Sequence, residues 1–279
     1  MERLDKETIL AFCLRKDRVF LYAHSEYHLT PFEFIKYLFL KSRRMNGAPI
    51  AYLTGKKEFF GLDFFVNKNV LIPRPDTELM VEEVLNTISN IQQPIFLIDI
   101  GTGSGCIPIA ITKNSPDKIH KIIAIDKSKK ALHVAKKNAA YHKVDIELRQ
   151  GDLLAPIKSE IKNLKSAIVI TANLPYLTYD QFKAENTIKK EPKLALVADN
   201  KNGLSLYEKL LRQIASISII QYPHLWGATR RVAISIFLEI DPKQKTAAEK
   251  LIKEILPNSN IKIKTDLAGR DRLVAIEIV

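Results

Sequence analysis

At 279 residues and 46% apolar content, the chain has room for a small domain attached to a mid-sized one. Lys+Arg 43 against Asp+Glu 31 leaves a net charge of +12, which favours an acidic or RNA-like partner, although lysines scattered as Lys129-Lys130, Lys136-Lys137 and Lys189-Lys190 also suit a solvated surface. Cys13 and Cys106 form no disulfide framework, no apolar run is long enough to span a bilayer, and the charged start (Glu2, Arg3, Asp5, Lys6, Glu7) lacks a signal-peptide core, so a cytoplasmic protein without a membrane is expected.

Residues 1–48 are helical in character. Apolar positions recur at helical spacing in Ile9, Leu10, Cys13 and Leu14, then in Phe34, Ile35, Leu38 and Phe39. Thr30-Pro31-Phe32-Glu33 predicts a helix start, with Thr30 as N-cap, Pro31 first in the helix and Glu33 completing a capping box. Nothing here has catalytic spacing, and His24 and His28 read as surface residues.

Residues 49–73 change texture. The aromatic stretch from Ala51 to Val66, with turn signals at Gly55 and Gly61, predicts a β-hairpin between two domains. Leu71-Ile72-Pro73-Arg74-Pro75-Asp76-Thr77-Glu78 then leads into a helix with Met80, Val81, Val84, Leu85 and Ile88 on one side. Arg74 could be structural or could face a ligand carboxylate.

From residue 74 a larger α/β domain is expected. Ile95-Phe96-Leu97-Ile98-Asp99-Ile100 is a strand, and Gly101-Thr102-Gly103-Ser104-Gly105 is a glycine turn opening a helix. Such glycines let backbone approach a ligand and expose amides at a helix N-terminus. A dinucleotide fingerprint would need glycine at 106, where Cys106 stands, so the D-x-G-x-G-x-G spacing suits a ligand without pyrophosphate. About 20 residues further on, the strand Ile122–Ile125 ends in Asp126, where an acid would hold ribose hydroxyls. After a helix and another strand, Asp152 and Leu153 would flank a purine, one on its edge and one on its face. Each acid alone could be a cap or turn residue. Three strand-end acids, Asp99, Asp126 and Asp152, around one glycine turn point to a ligand.

A further apolar run, Ile168-Val169-Ile170, ends in Asn173-Leu174-Pro175-Tyr176. Runs of this kind are central parallel strands, and ligands bind at their carboxyl ends. The Asn173 amide can accept and donate, Pro175 keeps nearby carbonyls out of a ladder, and Tyr176 offers a flat ring. Together they form a clamp for a planar NH₂, which an amide or an adenine would satisfy. Residues 177–203 read as a long polar loop and a candidate substrate lid. Helix 204–219, strand 232–240, helix 244–255 and strands 261–264 and 273–278 would finish a mostly parallel sheet with an antiparallel edge. No metal cluster is apparent.

The glycine turn, Asp126, Asp152 and Asn-Leu-Pro-Tyr resemble class I S-adenosylmethionine-dependent methyltransferases acting on planar nitrogen. Pro49-Ile50-Ala51-Tyr52-Leu53-Thr54-Gly55, Leu71 to Glu78, Glu191-Pro192-x-x-Ala195-Leu196, Glu239-Ile240 and Gly269-Arg270-Asp271-Arg272 narrow the resemblance to the PrmC/HemK family. Those enzymes methylate the glutamine side-chain amide in the Gly-Gly-Gln loop of peptide chain release factors. The resemblance implies a Rossmann-like α/β methyltransferase sheet over 74–279, a helical substrate-docking domain over 1–48 and a hairpin linker over 49–73. It implies S-adenosylmethionine as cofactor, held by Asp99, Gly101, Thr102, Gly103, Ser104, Gly105, Asp126, Asp152, Leu153 and Asn173, with S-adenosylhomocysteine as product. The substrate amide would meet Arg74, Asn173, Leu174, Pro175 and Tyr176, with Asn173, Pro175 and Tyr176 catalytic and no metal. A monomer with a release-factor substrate is expected, and nucleic acid is not required. Two departures stand out. Leu174 replaces the family's usual proline, as in rRNA adenine dimethylases, which keeps an adenine-N6 methyltransferase on RNA or DNA as the alternative. Pro223-His224-Leu225-Trp226-Gly227 replaces the usual glycine-rich turn before strand 232–240, where altered loop packing is expected.

Overall fold

The structure is a computed structural model in which residues 2–161, 164, 166–198, 202–217 and 234–278 are described. The turn expected at 223–227 lies outside those residues, as do parts of segments 177–203, 204–219 and 232–240.

Three helices open the chain: α1 (Arg3–Leu14), α2 (Arg18–Ala23) and α3 (Pro31–Met45). The expected capping box is present, with Thr30 and Glu33 each satisfying the other's backbone N–H. The apolar positions at helical spacing on α3 are largely outside, however. Phe34, Ile35, Leu38 and Phe39 are 49%, 66%, 44% and 60% exposed, while Leu40 is buried against Ile9, Cys13 and Leu53. This helix is apolar on more than one side. The short helices beside it cover only the side bearing Leu40 and Tyr37.

Residues 49–55 also differ from the expected strand. They form a helical turn, α4 (Ile50–Thr54), closed by Gly55 in the left-handed region. Helical geometry lets Leu53 join the N-terminal cluster while Ala51 joins a second one with Val66, Val70, Ile72, Ala131 and Val134. A strand would also place residues 51 and 53 on one face, whereas this turn sends them to separate clusters. The hairpin itself is shorter than expected, β1 (Lys56–Phe59) and β2 (Leu62–Phe65), joined through Phe60-Gly61. Both turn residues have positive φ, which matches the twist of a two-residue hairpin.

The main sheet holds β3 (Ile95–Ile100), β4 (Ile119–Asp126), β5 (Glu147–Gln150), β6 (Ala167–Ala172), β7 (Ile234–Glu239), β8 (Asn260–Thr265) and β9 (Asp271–Ile278). Their order is β5-β4-β3-β6-β7-β9-β8. The first five strands are parallel, and β9 runs antiparallel to both neighbours, giving the expected edge. Every residue of β3, β6 and β7 is buried, as unbroken apolar runs require when helices cover both faces. On one face pack the hairpin, α5 (Glu78–Ser89) and α6 (Cys106–Asn114), with Ala139 of α7 (Lys129–His142). A short helix, α8 (Lys158–Ile161), contributes to the other face.

Residues 177–198 are not a plain loop. They contain α9 (Tyr179–Ala184), a 3₁₀ turn Lys193–Ala195 and a bridge between Leu177 and Val197. Behind them come α10 (Ser205–Ala215) and, after β7, α11 (Lys245–Ile255), which complete the second face. Strand order reverses between β3 and β6, so a crevice opens at their carboxyl ends.

Candidate active site

The crevice is a cavity walled by Arg74, Thr77, the glycine turn, Asp126, Leu153 and Asn173, with Leu194 and Val197 at its side. The glycine turn leaves β3 with Gly101 at φ +73°, its N–H donating to Ile125 O at 2.8 Å. A Cβ at Gly101 would lie 3.0 Å from Leu174 Cδ2, so the turn and the Asn-Leu-Pro-Tyr segment are closely packed, and the positive φ favours glycine there.

Asp126 ends β4 beside this turn. One oxygen accepts from Gly103 N at 2.9 Å and the other from Ser128 N at 2.8 Å. Burial raises its carboxyl above the ordinary range, opposed by those two N–H groups. Each oxygen keeps acceptor capacity on the cavity side. Asp99 and Gly105 do not line the cavity; they sit behind it. Asp99 accepts from Thr171 Oγ1 at 2.7 Å, while its second oxygen and the Thr102 hydroxyl are buried without a partner among the described residues. Burial pushes this carboxyl up to about 6.

Asp152 and Leu153 both reach the cavity wall. Leu153 is buried at φ +54°, a left-handed conformation that leucine adopts only when its surroundings impose it. Here α10 holds the turn: Lys209 pairs with Asp152, and Gln213 Oε1 accepts from Leu154 N at 2.8 Å. Arg74 also lines the cavity, and its guanidinium pairs with buried Glu191, which accepts from Ile72 N at 3.0 Å as well. Glu191 thus fastens the linker to the segment following the clamp.

The clamp follows β6. Asn173, Leu174 and Pro175 line the cavity; Tyr176 does not. Asn173 Nδ2 donates to Glu239 Oε2 at 2.9 Å and lies 3.1 Å from Thr77 Oγ1. Tyr176 hydroxyl donates to Glu239 Oε1 at 3.3 Å, which turns this residue toward the protein interior instead of stacking it on the cavity. Leu174 N donates to Tyr207 hydroxyl at 3.1 Å, and that hydroxyl bonds Glu239 O. Gln244 Nε2 donates to Tyr176 O at 3.0 Å and to Asn202 O at 2.7 Å. At Gly203, φ is +73° and a Cβ would fall 2.0 Å from Tyr176 O, so the chain returns past the clamp only as glycine.

Thr77, Tyr207, Glu239 and Gln244 therefore hold the site, and sequence reading gave none of them a role. Thr77 and Glu239 lay inside motifs already noted. Tyr207 sits on an ordinary amphipathic helix and carried no signal.

Comparison with known proteins places this geometry. Residues 1–55 match the family model "PrmC N-terminal domain", and residues 76–211 match "Methyltransferase small domain". A release factor glutamine methyltransferase of Enterococcus faecalis is 36% identical over 231 residues, covering 82% of this chain and 76% of the relative. The chain belongs to the release factor glutamine methyltransferase family. A member from Bacillus anthracis is 29% identical over 98% of this chain and 91% of its own length. The hMettl16 catalytic domain, solved with MAT2A 3′UTR hairpin 1, shares the fold at 14% identity and a TM-score of 0.55, covering 86% of this chain and 90% of that one. Among the described residues no helix is long and apolar enough to cross a membrane.

Proposed function

We propose that this methyltransferase acts in the cytoplasm on the glutamine of the Gly-Gly-Gln loop of peptide chain release factors, moving a methyl group from S-adenosylmethionine to the side-chain nitrogen. The observation that carries the reading is the placement of Asn173 on the same cavity wall as Asp126 and the glycine turn. An acceptor for an amide N–H thus faces the space beside an acid suited to ribose.

The residues fit the cofactor. Gly101 at φ +73° brings the turn's backbone to the cavity wall, where the carboxylate of Asp126 keeps acceptor capacity, as a polar ligand that closes against backbone requires. Asp126 would hold the ribose hydroxyls, Asp152 and Leu153 the adenine, and the glycine-turn backbone with Arg74 the amino-acid end. When bound, adenosylmethionine supplies an already activated methyl group, so no metal or strong acid is needed. Asn173 Oδ1 and a carbonyl of Leu174 or Pro175 accept the two amide hydrogens of the target glutamine. That draws electron density back onto a nitrogen whose lone pair is otherwise delocalised, and the benefit grows as the nitrogen becomes positive. The proton leaves after the methyl is in place.

Residues 1–48 act in this reading as the docking surface for the protein substrate, with 49–73 as linker and 74–279 as catalytic domain. The test is incubation with labelled adenosylmethionine and either release factor or rRNA. Label on the Gly-Gly-Gln glutamine is expected, and label on adenine instead would overturn the substrate. For the cofactor, Asp126→Ala removes charge-assisted hydrogen bonds of about 1.5–3 kcal/mol. Calorimetry should show affinity for adenosylmethionine reduced at least about tenfold, and unchanged affinity would refute the assignment.

A further inference from the structure

Glu239 ends β7 with 2% exposure, and the methyl-transfer reading above gives it no task. A buried carboxylate persists only where donors surround it. Three side chains from two segments do so here: Thr77 Oγ1 at 2.7 Å from before α5, and from the clamp Asn173 Nδ2 at 2.9 Å and Tyr176 hydroxyl at 3.3 Å. Arg272, itself paired with Asp76 at 3.1 Å and Asp266 at 3.3 Å, adds positive charge nearby.

This arrangement constrains Asn173 more than it constrains the fold. A carboxylate accepts and cannot donate, so the NH₂ end of the amide must turn toward Glu239. Thr77 Oγ1 gives its own hydrogen to Glu239 and is left as a second acceptor, 3.1 Å from the same Nδ2. With both acceptors on the inner side, the amide oxygen is left outward, without a protein partner among the described residues, on a residue that lines the cavity. Replacing a buried ion by apolar groups is often neutral for stability, so orientation is the better reason for a carboxylate at this point.

We propose that Glu239, with Thr77, is the positioning residue that fixes the amide of Asn173 so that Oδ1 faces the methyl acceptor. The inference rests on the reading of Asn173 as the acceptor for the substrate amide. Without Glu239, the amide can rotate or flip and spend part of its time presenting NH₂ to a nitrogen that needs an acceptor.

The test combines side-chain amide NMR with kinetics on the full chain. The Asn173 NH₂ signals are assigned by their loss in Asn173→Ala. Wild type should show two separated, slowly exchanging protons. Glu239→Ala should collapse that protection and lower kcat about 10²-fold, with KM for release factor and adenosylhomocysteine affinity kept within about threefold. Glu239→Gln, whose Oε1 still accepts, should restore most of both. Thr77→Val should fall between them and Thr77→Ser should recover. In an Asn173→Ala background, Glu239→Ala should add little further loss, because a residue that acts through another cannot be lost twice.

Unchanged Asn173 signals in Glu239→Ala overturn the proposal, as do losses that multiply in the double variant. If Glu239→Ala does not fold, Thr77→Val carries the same comparison, and unchanged amide signals there overturn it equally. A wild type with protected amide protons but no turnover on release factor would remove the substrate reading and leave the positioning role standing.

Discussion

The proposed mechanism places the chemistry in one amide, that of Asn173, and its two ends are separable by mutation. Asn173→Ala removes the acceptor and should lower kcat by about 10²–10³-fold with little change in substrate KM. Equal kcat for wild type and the alanine variant at saturating substrate would mean the clamp does not act on the amide. Asn173→Asp looks conservative, but it sets a second carboxylate against Glu239, where Nδ2 now lies 2.9 Å from Oε2. Burial already raises Glu239 above the ordinary carboxylate range, opposed by Thr77, Arg272 and Tyr176 and assisted by Asp76. Two carboxylates so placed share one proton, and the protonated aspartate then mimics the amide. The aspartate variant should therefore outperform alanine at low pH and lose activity, relative to wild type, as pH rises. A kcat ratio that does not vary with pH contradicts this. Asp99 gives a stability prediction of known sign. Its folded-state value of about 6 lies above the ordinary 3.8, so the folded state binds the proton more tightly. Ionisation thus costs stability in full above about pH 6, the cost fades as pH falls toward 3.8, and it is absent below. Its ceiling is about 3 kcal/mol. Cofactor-free Asp99→Asn should unfold at a higher temperature than wild type near pH 8, and the difference should vanish near pH 4. Parallel melting curves across that range would measure it.

At the scale of elements, the clamp is held by α10 and β7 more than by its own proline. Leu174 N donates to Tyr207 hydroxyl at 3.1 Å, and the Leu174 side chain packs against the Gly101 turn. A proline at 174 would lose that donor and some packing. Leu174→Pro should then cost about 1–2 kcal/mol of stability while leaving glutamine methylation intact, since the position offers the substrate only a carbonyl. Urea midpoints and kcat together test this, and a collapse of kcat with an unchanged midpoint would show that the leucine side chain itself serves the reaction. The same helix holds the turn at Asp152 and Leu153 through Lys209 and Gln213, so α10 braces two sides of the cavity.

For the whole molecule, the question is what covers α3. Phe32, Ile35 and Phe39 are 76%, 66% and 60% exposed on a unit whose buried side already serves α1 and α4. Removing residues 1–48 would also uncover Leu53 and Ile50, so surface substitutions test docking more cleanly than truncation. Burial of one large apolar side chain contributes about 1.5–3 kcal/mol. Ile35→Ser with Phe39→Ser should raise KM for intact release factor at least about tenfold. Turnover of a short Gly-Gly-Gln peptide and cofactor affinity should stay as in wild type. Undiminished modification of full-length release factor would assign that face another purpose.

The sequence by itself determined those features whose physical cause is local. Continuous apolar runs at 95–100 and 168–170 marked strands buried on both faces, Thr30 with Glu33 marked a helix start, and the glycine spacing after Asp99 marked a positive-φ turn into a helix. Helical spacing on α3 was legible too, yet periodicity cannot say which of two apolar sides meets a neighbour. Tertiary structure alone decided that, as it decided that residues 50–54 form a helix between two clusters. It also decided the orientation of Asn173. The partners of its amide lie 96 residues earlier at Thr77 and 66 residues later at Glu239, and they meet only because the sheet order sets the ends of β6 and β7 side by side. A side chain's type is written in the sequence, but the direction of its hydrogen bonds is fixed by groups that the chain brings together only on folding.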